Sequence, residues 1–355
     1  METYKILTIN LGSTSTKIAY YENEECKVKT TLDHSVQDLA AFSDLMEQDG
    51  YRRDAIEKFL RDNGISLSKV NAIASRGGHT KPLEGGVYQI NEIMLEQQAS
   101  GLYGRHACDV GSKIAYKMAR DFKILSVVVD PPVTDEFIEE ARLSGHPELP
   151  RQSRFHALNH RATGKRFARD NGKNYEDLNL IIAHMGGGIT VAAHRRGKMI
   201  DATNGIDGDG PFSTNRTGGL PVGALVDLCF SGRYSHKEIR KMLNGEGGLT
   251  AYLKENDVRT VEEKAAANNY FALCLEGMIY QTCKEIAAMA AVLEGNVDSI
   301  IITGGIANSK KITARMKERI GFIAPVTLYP GENEMDALAL GALEVMRGKE
   351  PLKSI

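Results

Sequence analysis

No charge imbalance, no cysteine pair, no membrane-length apolar run and no Walker loop mark this chain. Lys plus Arg number 44 and Asp plus Glu 46, a formal net charge of −2. A nucleic-acid protein presents a strongly basic face, so this balance argues against that class. The five cysteines (Cys26, Cys108, Cys229, Cys274, Cys283) are odd in number and scattered, with no C-x-x-C spacing. They read as reduced thiols, and the expected compartment is cytoplasmic. No apolar run approaches the length of a bilayer span. Met1-Glu2 leads straight into the first expected strand, so no signal peptide is expected. The absence of a G-x-x-x-x-G-K-[ST] segment excludes a P-loop enzyme. Tryptophan is missing altogether.

What is present suffices for two cores: 355 residues, of which 42% are hydrophobic. Residues 5–21, KILTINLGSTSTKIAYY, begin as a β-branched apolar run and stop at Asn10 and Gly12. They then present Ser13, Thr14, Ser15, Thr16 and Lys17 before the strand resumes. This predicts a hairpin whose turn is either a polar tip or a cradle for an anion. The plan recurs at 178–194, with NLIIAHMGGGITVAAH at its centre. Overlaid, Asn10 falls on His184, Gly12 on Gly186, and Ile18-Ala19 on Ala192-Ala193. Two hairpins of one design, each opening a half, predict a duplicated α/β domain with a cleft between the copies.

Between the hairpins, residues 35–63 read as helical, and a strand at 70–74 ends in Ser75-Arg76-Gly77-Gly78-His79. Residues 91–119 are helical with a break near 101–104, and a buried strand at 124–129 stops at Asp130-Pro131-Pro132. Sites in open α/β sheets lie beyond the carboxyl ends of strands, which places Asp130 where chemistry occurs. Residues 134–153 read as an irregular connection and 155–170 as a helix with a dense basic face. After a glycine-laden segment at 205–223, one long helix is expected over 262–293, with Phe271, Leu275, Met278, Ile286, Ala290 and Leu293 as core. Strands at 297–302 and 326–329 and a closing helix at 335–346 complete the reading.

Three side features admit other chemistry. His156 and His160 have the i, i+4 spacing of zinc ligands, but no third ligand is evident. Asp207-Gly208-Asp209-Gly210 hints at calcium, yet the remaining loop ligands and the terminal Glu are missing. Arg151, Arg154, Arg161, Lys165, Arg166 and Arg169 read as a solvated helix face rather than an RNA site.

Taken in order, the segments NLGSTSTK, SRGGHTKPLEGG, VVDPPVTDEF, FHALNH, HMGGG, GDGPFSTNR and PGENEMDALALG resemble those of the butyrate kinases. These are acyl-phosphate kinases close to acetate kinase, in the ASKHA superfamily that also holds actin, Hsp70 and hexokinase. The likeness spans nearly the whole chain. It implies two duplicated ASKHA (RNase H-like) α/β domains with an interdomain cleft. The first would be 1–152 plus 338–355, and the second, 153–337, would carry most of the nucleotide site. It implies a first phosphate loop at Asn10, Gly12, Ser13, Ser15 and Lys17. The second phosphate loop would be His184, Gly186, Gly187 and Gly188, and Gly304, Gly305 and Asn308 an adenosine loop. Catalytic roles fall on Arg76, Asp130, His156 and Arg216, and a metal role on Glu334 together with Asp130.

The implied cofactors are ATP/ADP and Mg²⁺. The implied reaction is direct in-line transfer of the ATP γ-phosphoryl to butyrate, giving butyryl phosphate and ADP. The same chemistry on acetate, propionate or branched short-chain acids is the alternative. An Hsp70- or actin-like conformational protein is a remote one, since the set Arg76, Asp130, His156 and Arg216 suits a small acid acceptor and no peptide-binding domain is visible. A homo-oligomer, at least a dimer, is expected, with no nucleic-acid or membrane partner. The chemistry asks for these residue types. A carboxylic acid with a pKa of roughly 4–5 is ionised at neutral pH and needs no general base. The difficulty is joining two anions, which calls for positioning, guanidinium groups and a hydrated cation. Val87 and Val133, beside catalytic segments, are candidates for lining an acyl pocket.

Overall fold

Two β-sheets of one plan organise the chain in this computed structural model, which describes residues 2–355. The strands are β1 (Lys5–Leu11), β2 (Ser15–Glu22), β3 (Glu25–Asp33), β4 (Ala72–Ser75), β5 (Val87–Gln89), β6 (Leu125–Val129), β7 (Asn179–Met185), β8 (Ile189–Arg195), β9 (Lys198–Ala202), β10 (Ser299–Gly304), β11 (Val326–Pro330) and β12 (Leu352–Lys353). One sheet runs β12-β5-β6-β4-β1-β2-β3, the other β11-β10-β7-β8-β9. In each, an antiparallel meander (β1-β2-β3, β7-β8-β9) is followed by two strands parallel to its first member, β4 and β6 or β10 and β11. The sequence repeat is therefore a repeat of topology.

The overlay of the two hairpins needs one adjustment. Leu11 pairs with Thr16 across the first turn, whereas Met185 pairs with Ile189 across the second. The second connection is one residue tighter, as a run of three glycines permits. With Asn10 on His184, Ile18 therefore falls on Val191 and Ala19 on Ala192.

The chain divides into a first unit, Met1–Asp135 with Asn333–Ile355, and a second, Glu136–Glu332. The boundaries differ from 152/153 and 337/338 for identifiable reasons. The Glu136 carboxylate accepts from Arg161 at 2.7 Å and from the Met199 N–H at 2.8 Å. Phe137 and Ala141 pack with Phe155, Ala157 and Met199. These contacts tie 136–152 to the second unit. At the other end, the helix Glu334–Met346 packs on the first sheet, with Gly341 so close to Val129 that an added Cβ would lie 2.6 Å from its Cγ1.

Each unit has its own core. In the first, Leu7, Ile9, Ile18 and Ile73 meet Val110, Ile114 and Met118 of the helix Ala107–Phe122. In the second, Ile181, Val191 and Ile300 meet Met278 and Ile286 of the helix Asn269–Val292. That helix is not continuous from 262. A separate helix, Val258–Ala265, precedes it, and the Asn268 side chain caps the new start by accepting from the N–H groups of Tyr270 and Phe271.

The basic face is solvated at Arg154, Arg166 and Arg169, which are exposed, but not at Arg161 and Arg151. Arg161 is buried, donating to Glu136 and to the Gly197 carbonyl, and Arg151 pairs with Asp201 and Asp209. These guanidinium groups lock the connection 136–152 down rather than facing water. Asp207 and Asp209 are likewise engaged, by Arg240 and Arg151. Val87 is fully buried within the first sheet, between β12 and β6, which makes it core rather than pocket lining.

Candidate active site

In the first unit, the candidate residues gather at the carboxyl ends of neighbouring strands. β1, β4 and β6 lie side by side and parallel, so Asn10, Arg76 and Asp130 emerge at one edge of the sheet. Glu334 joins them from the first turn of the closing helix. Its Oε2 accepts from Asn10 Nδ2 at 2.7 Å, and its Oε1 is ion-paired with Arg76 Nη1. Asp130 is 5% exposed and holds φ at +39°, a conformation L-residues rarely take. Its Oδ1 accepts the Gly86 N–H at 2.8 Å, and its own N–H donates to the Gly86 carbonyl at 2.9 Å. Such reciprocal bonds hold a strained residue in place.

The Arg76 loop relies on its two glycines. Gly77 has φ +77°, and a Cβ on Gly78 would collide with the Asp109 carboxylate. Asp109 belongs to the N-terminal capping box of the helix Ala107–Phe122 and accepts from the N–H groups of His79, at 2.6 Å, and His106, at 2.7 Å. His79, Cys108 and Asp109 lie close enough to hold an ion. The carboxylate, however, already serves two backbone donors.

The turn after β1 has Ser13 exposed and Ser15 and Lys17 half-buried. Its backbone is held by a residue that sequence reasoning missed. Arg52 is 0% exposed and donates to Ser13 O at 2.9 Å, Ser15 O at 3.0 Å and Thr16 Oγ1 at 3.2 Å. Burial holds its pKa below the usual guanidinium value. Within a helix of mixed charge, no local signal distinguishes it from an exposed arginine.

In the second unit, His184 is the penultimate residue of β7, and His156 immediately precedes the helix Ala157–Asp170 without a side-chain capping bond. Their rings stack with centroids 4.1 Å apart. His184 Nδ1 lies 3.0 Å from Asn159 Oδ1, and its Nε2 lies 3.6 Å from Glu332. Gly186, Gly187 and Gly188 follow, and Ser213 Oγ donates to the Gly187 carbonyl at 2.6 Å. A Cβ on Gly188 would run into the Arg216 guanidinium, so a side chain there would have to displace it. Arg216 donates through Nη1 to the Gly205 carbonyl, while its Nε is buried without a partner. Burial lowers its pKa from the usual value. A guanidinium with no carboxylate partner shown and a donor to spare is suited to receive an anion. Ile189, Gly205, Ile206, Pro211 and Ser213 border Arg216.

The β10 end supplies Gly304, with φ +89° and room for no Cβ against the Met185 backbone. Gly304 exchanges hydrogen bonds with Gly331, and Asn308 Nδ2 donates to the Gly305 carbonyl at 2.9 Å. Gly305 and Asn308 are exposed.

The Acetokinase family model matches residues 148–333. Butyrate kinase 2 of Clostridium acetobutylicum is 48% identical over 351 residues, 99% of each chain. A probable butyrate kinase of Clostridium botulinum is 46% identical over the same share. This chain belongs to the acetokinase family. Among solved structures, Porphyromonas gingivalis acetate kinase shares the fold at a TM-score of 0.80 with 18% identity, covering 97% of this chain and 100% of its own. A propionate kinase from Francisella tularensis does so at 0.71 with 19% identity, covering 95% and 98%. The expected ASKHA fold is thereby established. The acetokinase match contains His156, His184, Arg216 and the Gly304 loop. Arg76 and Asp130 lie outside it but within the span shared with the butyrate kinases.

Proposed function

We propose that this acetokinase-family chain transfers the γ-phosphoryl group of ATP to the carboxylate of a short-chain fatty acid, butyrate foremost, in the cytoplasm. The end-to-end match to butyrate kinases carries this reading. The residues that each unit presents support it. An acid oxygen attacks the γ-phosphorus, the bond from phosphorus to the β–γ bridging oxygen breaks, and ADP leaves. The demand is for positive charge and neutral donors around the oxygens in flight. The first unit offers the Arg76 guanidinium beside the Asn10 amide, and the second the half-satisfied Arg216 and the His156 ring.

Asp130 and Glu334 are the carboxylates that would hold Mg²⁺, whose hard-cation preference they satisfy and which neutralises phosphate charge when bound. Glu334 keeps unused lone pairs after bonding Asn10 and Arg76. Asn10, Ser13, Ser15 and Lys17 form one phosphate-facing turn, and His184 with Gly186, Gly187 and Gly188 the other. Gly304, Gly305 and Asn308 serve the adenosine.

The helix Val222–Phe230 has no buried residue, with Val222 73% and Phe230 87% exposed. An apolar helix left bare in this way is accounted for by a second copy covering it, in line with a homo-oligomer. Among the described residues no helix is long and apolar enough to cross a membrane.

Trapping with hydroxylamine tests the reaction type. Acyl hydroxamate should accumulate with butyrate, ATP and Mg²⁺ together and not when any one is omitted. ATP hydrolysis without hydroxamate would contradict the proposal.

A further inference from the structure

Behind His156 runs a line of buried side chains that the proposed chemistry leaves unused. His156 Nδ1 lies 2.9 Å from Thr190 Oγ1, and that same oxygen lies 2.9 Å from His160 Nε2. His160 Nδ1 is 3.4 Å from His194 Nε2, and His194 Nδ1 is 2.6 Å from the Tyr175 hydroxyl. Thr190, His160 and His194 are 0% exposed and Tyr175 3%. We propose that Tyr175, His194, His160 and Thr190 are positioning residues, a hydrogen-bond relay that holds His156 as a neutral imidazole with its hydrogen on Nε2. The inference rests on the reading that His156 meets the phosphoryl group.

The polarity follows link by link. Burial pushes the pKa of His160 well below the ordinary histidine value and that of His194 down to about 3. Each ring is therefore neutral and carries one hydrogen, so each is a donor at one nitrogen and an acceptor at the other. A phenol, with a pKa near ~10, is a far stronger acid than a neutral imidazole N–H, so Tyr175 donates to His194 Nδ1. His194 must then carry its hydrogen on Nε2 and donate to His160 Nδ1. His160 in turn donates from Nε2 to Thr190. The one hydroxyl hydrogen of Thr190 is left to point at His156 Nδ1, which accepts. The hydrogen of His156 is thereby assigned to Nε2, as a donor.

The opposite polarity would leave a bare lone pair on Nε2, which repels a phosphoryl oxygen. An imidazolium at His156 would force Thr190 to accept from both rings and strand its own hydrogen in the core, which costs about 1–3 kcal/mol. The relay thus favours a neutral donor at His156.

The sequence builds the relay economically. His156 and His160 are one helical turn apart, and Gly164, a turn further, leaves room for the Tyr175 ring. Thr190 and His194 point to one face of β8 at even spacing. A Cβ on Gly205 would collide with Thr190. The pair that has zinc-ligand spacing shares a threonine hydroxyl instead.

Two-bond ¹H–¹⁵N correlation spectra of the histidine rings, assigned to His156 with His156→Gln, test the relay directly. The native enzyme and Thr190→Ser should show the Nε2–H tautomer at pH 7.5. Thr190→Val and Tyr175→Phe should show mixed tautomers, with kcat lowered on the order of tenfold and KM for the acid changed less than about twofold. That loss is smaller than the 10²–10³ of deleting an oxyanion donor outright. An Nδ1–H tautomer or an imidazolium in the native protein would overturn the proposal, as would a His156 signature unmoved in both variants. Unchanged kcat in His156→Ala would instead remove the functional reading of His156, while the tautomer measurement still decides the relay.

Discussion

Arg76 and Glu334 stand 258 positions apart in sequence and meet as an ion pair with Asn10 completing the contact. Removing the guanidinium should cost transition-state stabilisation rather than fold. Arg76→Ala and Arg216→Ala should each lower kcat by about two orders of magnitude or more, with little change in melting temperature. Steady-state kinetics beside thermal unfolding checks this, and near-normal kcat would take that arginine out of the site. Glu334→Ala should raise the Mg²⁺ concentration for half-maximal rate; an unchanged requirement would leave Glu334 as a helix-start acid and partner of Arg76 alone. Arg52 acts on structure instead. Arg52→Met leaves the Ser13 and Ser15 carbonyls without their donor and should cost about 1–3 kcal/mol of stability while raising KM for ATP.

His194 titrates at about 3 in the folded chain, below its ordinary 6.5. Between those values the unfolded chain binds the proton and the folded chain does not. Stability should therefore be complete above about pH 6.5 and fall on acidification by up to about 1.4 kcal/mol per pH unit for this residue alone. His160 shifts the same way and adds to the slope. Denaturant unfolding at pH 7 and pH 5 measures it, and His194→Asn should flatten the dependence. An equally steep slope in that variant would mean other groups govern acid unfolding.

At the scale of elements, the two glycine turns do different work. Gly188 keeps its backbone against the Arg216 guanidinium. Gly188→Ala should displace Arg216 and lower kcat on the order of Arg216→Ala, whereas Gly187→Ala, with open space around it, should be mild. The hairpins were readable in the sequence because apolar runs broken by small residues carry a local signal. Asp130 was readable because it follows a buried strand, whereas Arg76 and Glu334 were reached only through the resemblance of their segments to those of the butyrate kinases. β5 and β12 were not: strands of three and two residues exist only through pairing with partners distant in sequence. Neither was the break before Asn268, which contains no Gly or Pro and rests on one capping side chain. Arg52, Arg161 and Thr190 were missed for a shared reason. Their importance comes from what tertiary packing places around them, and a residue type alone does not tell buried from exposed.

At the scale of the whole molecule, the repeat fixes two sheets of one topology, and the chain's boundaries follow where its buried ion pairs go, Arg161 with Glu136 above all. The bare helix Val222–Phe230 makes a separate prediction. Light scattering should give at least a dimer, and Phe230→Glu should shift it toward monomer; a native monomer at micromolar concentration would remove the oligomer proposal.

Phosphoryl transfer to a short-chain carboxylate is checked by kcat/KM for acetate, propionate, butyrate, isobutyrate and valerate at saturating Mg-ATP. Butyrate exceeds acetate by two methylenes. At about 0.8 kcal/mol each when buried, they give about 1.6 kcal/mol, on the order of 10–20-fold. The profile should therefore rise from acetate to a maximum at butyrate by roughly that factor. A maximum at acetate or a flat profile would contradict butyrate as the preferred acid, and no turnover with any of the five would contradict phosphoryl transfer to short-chain acids.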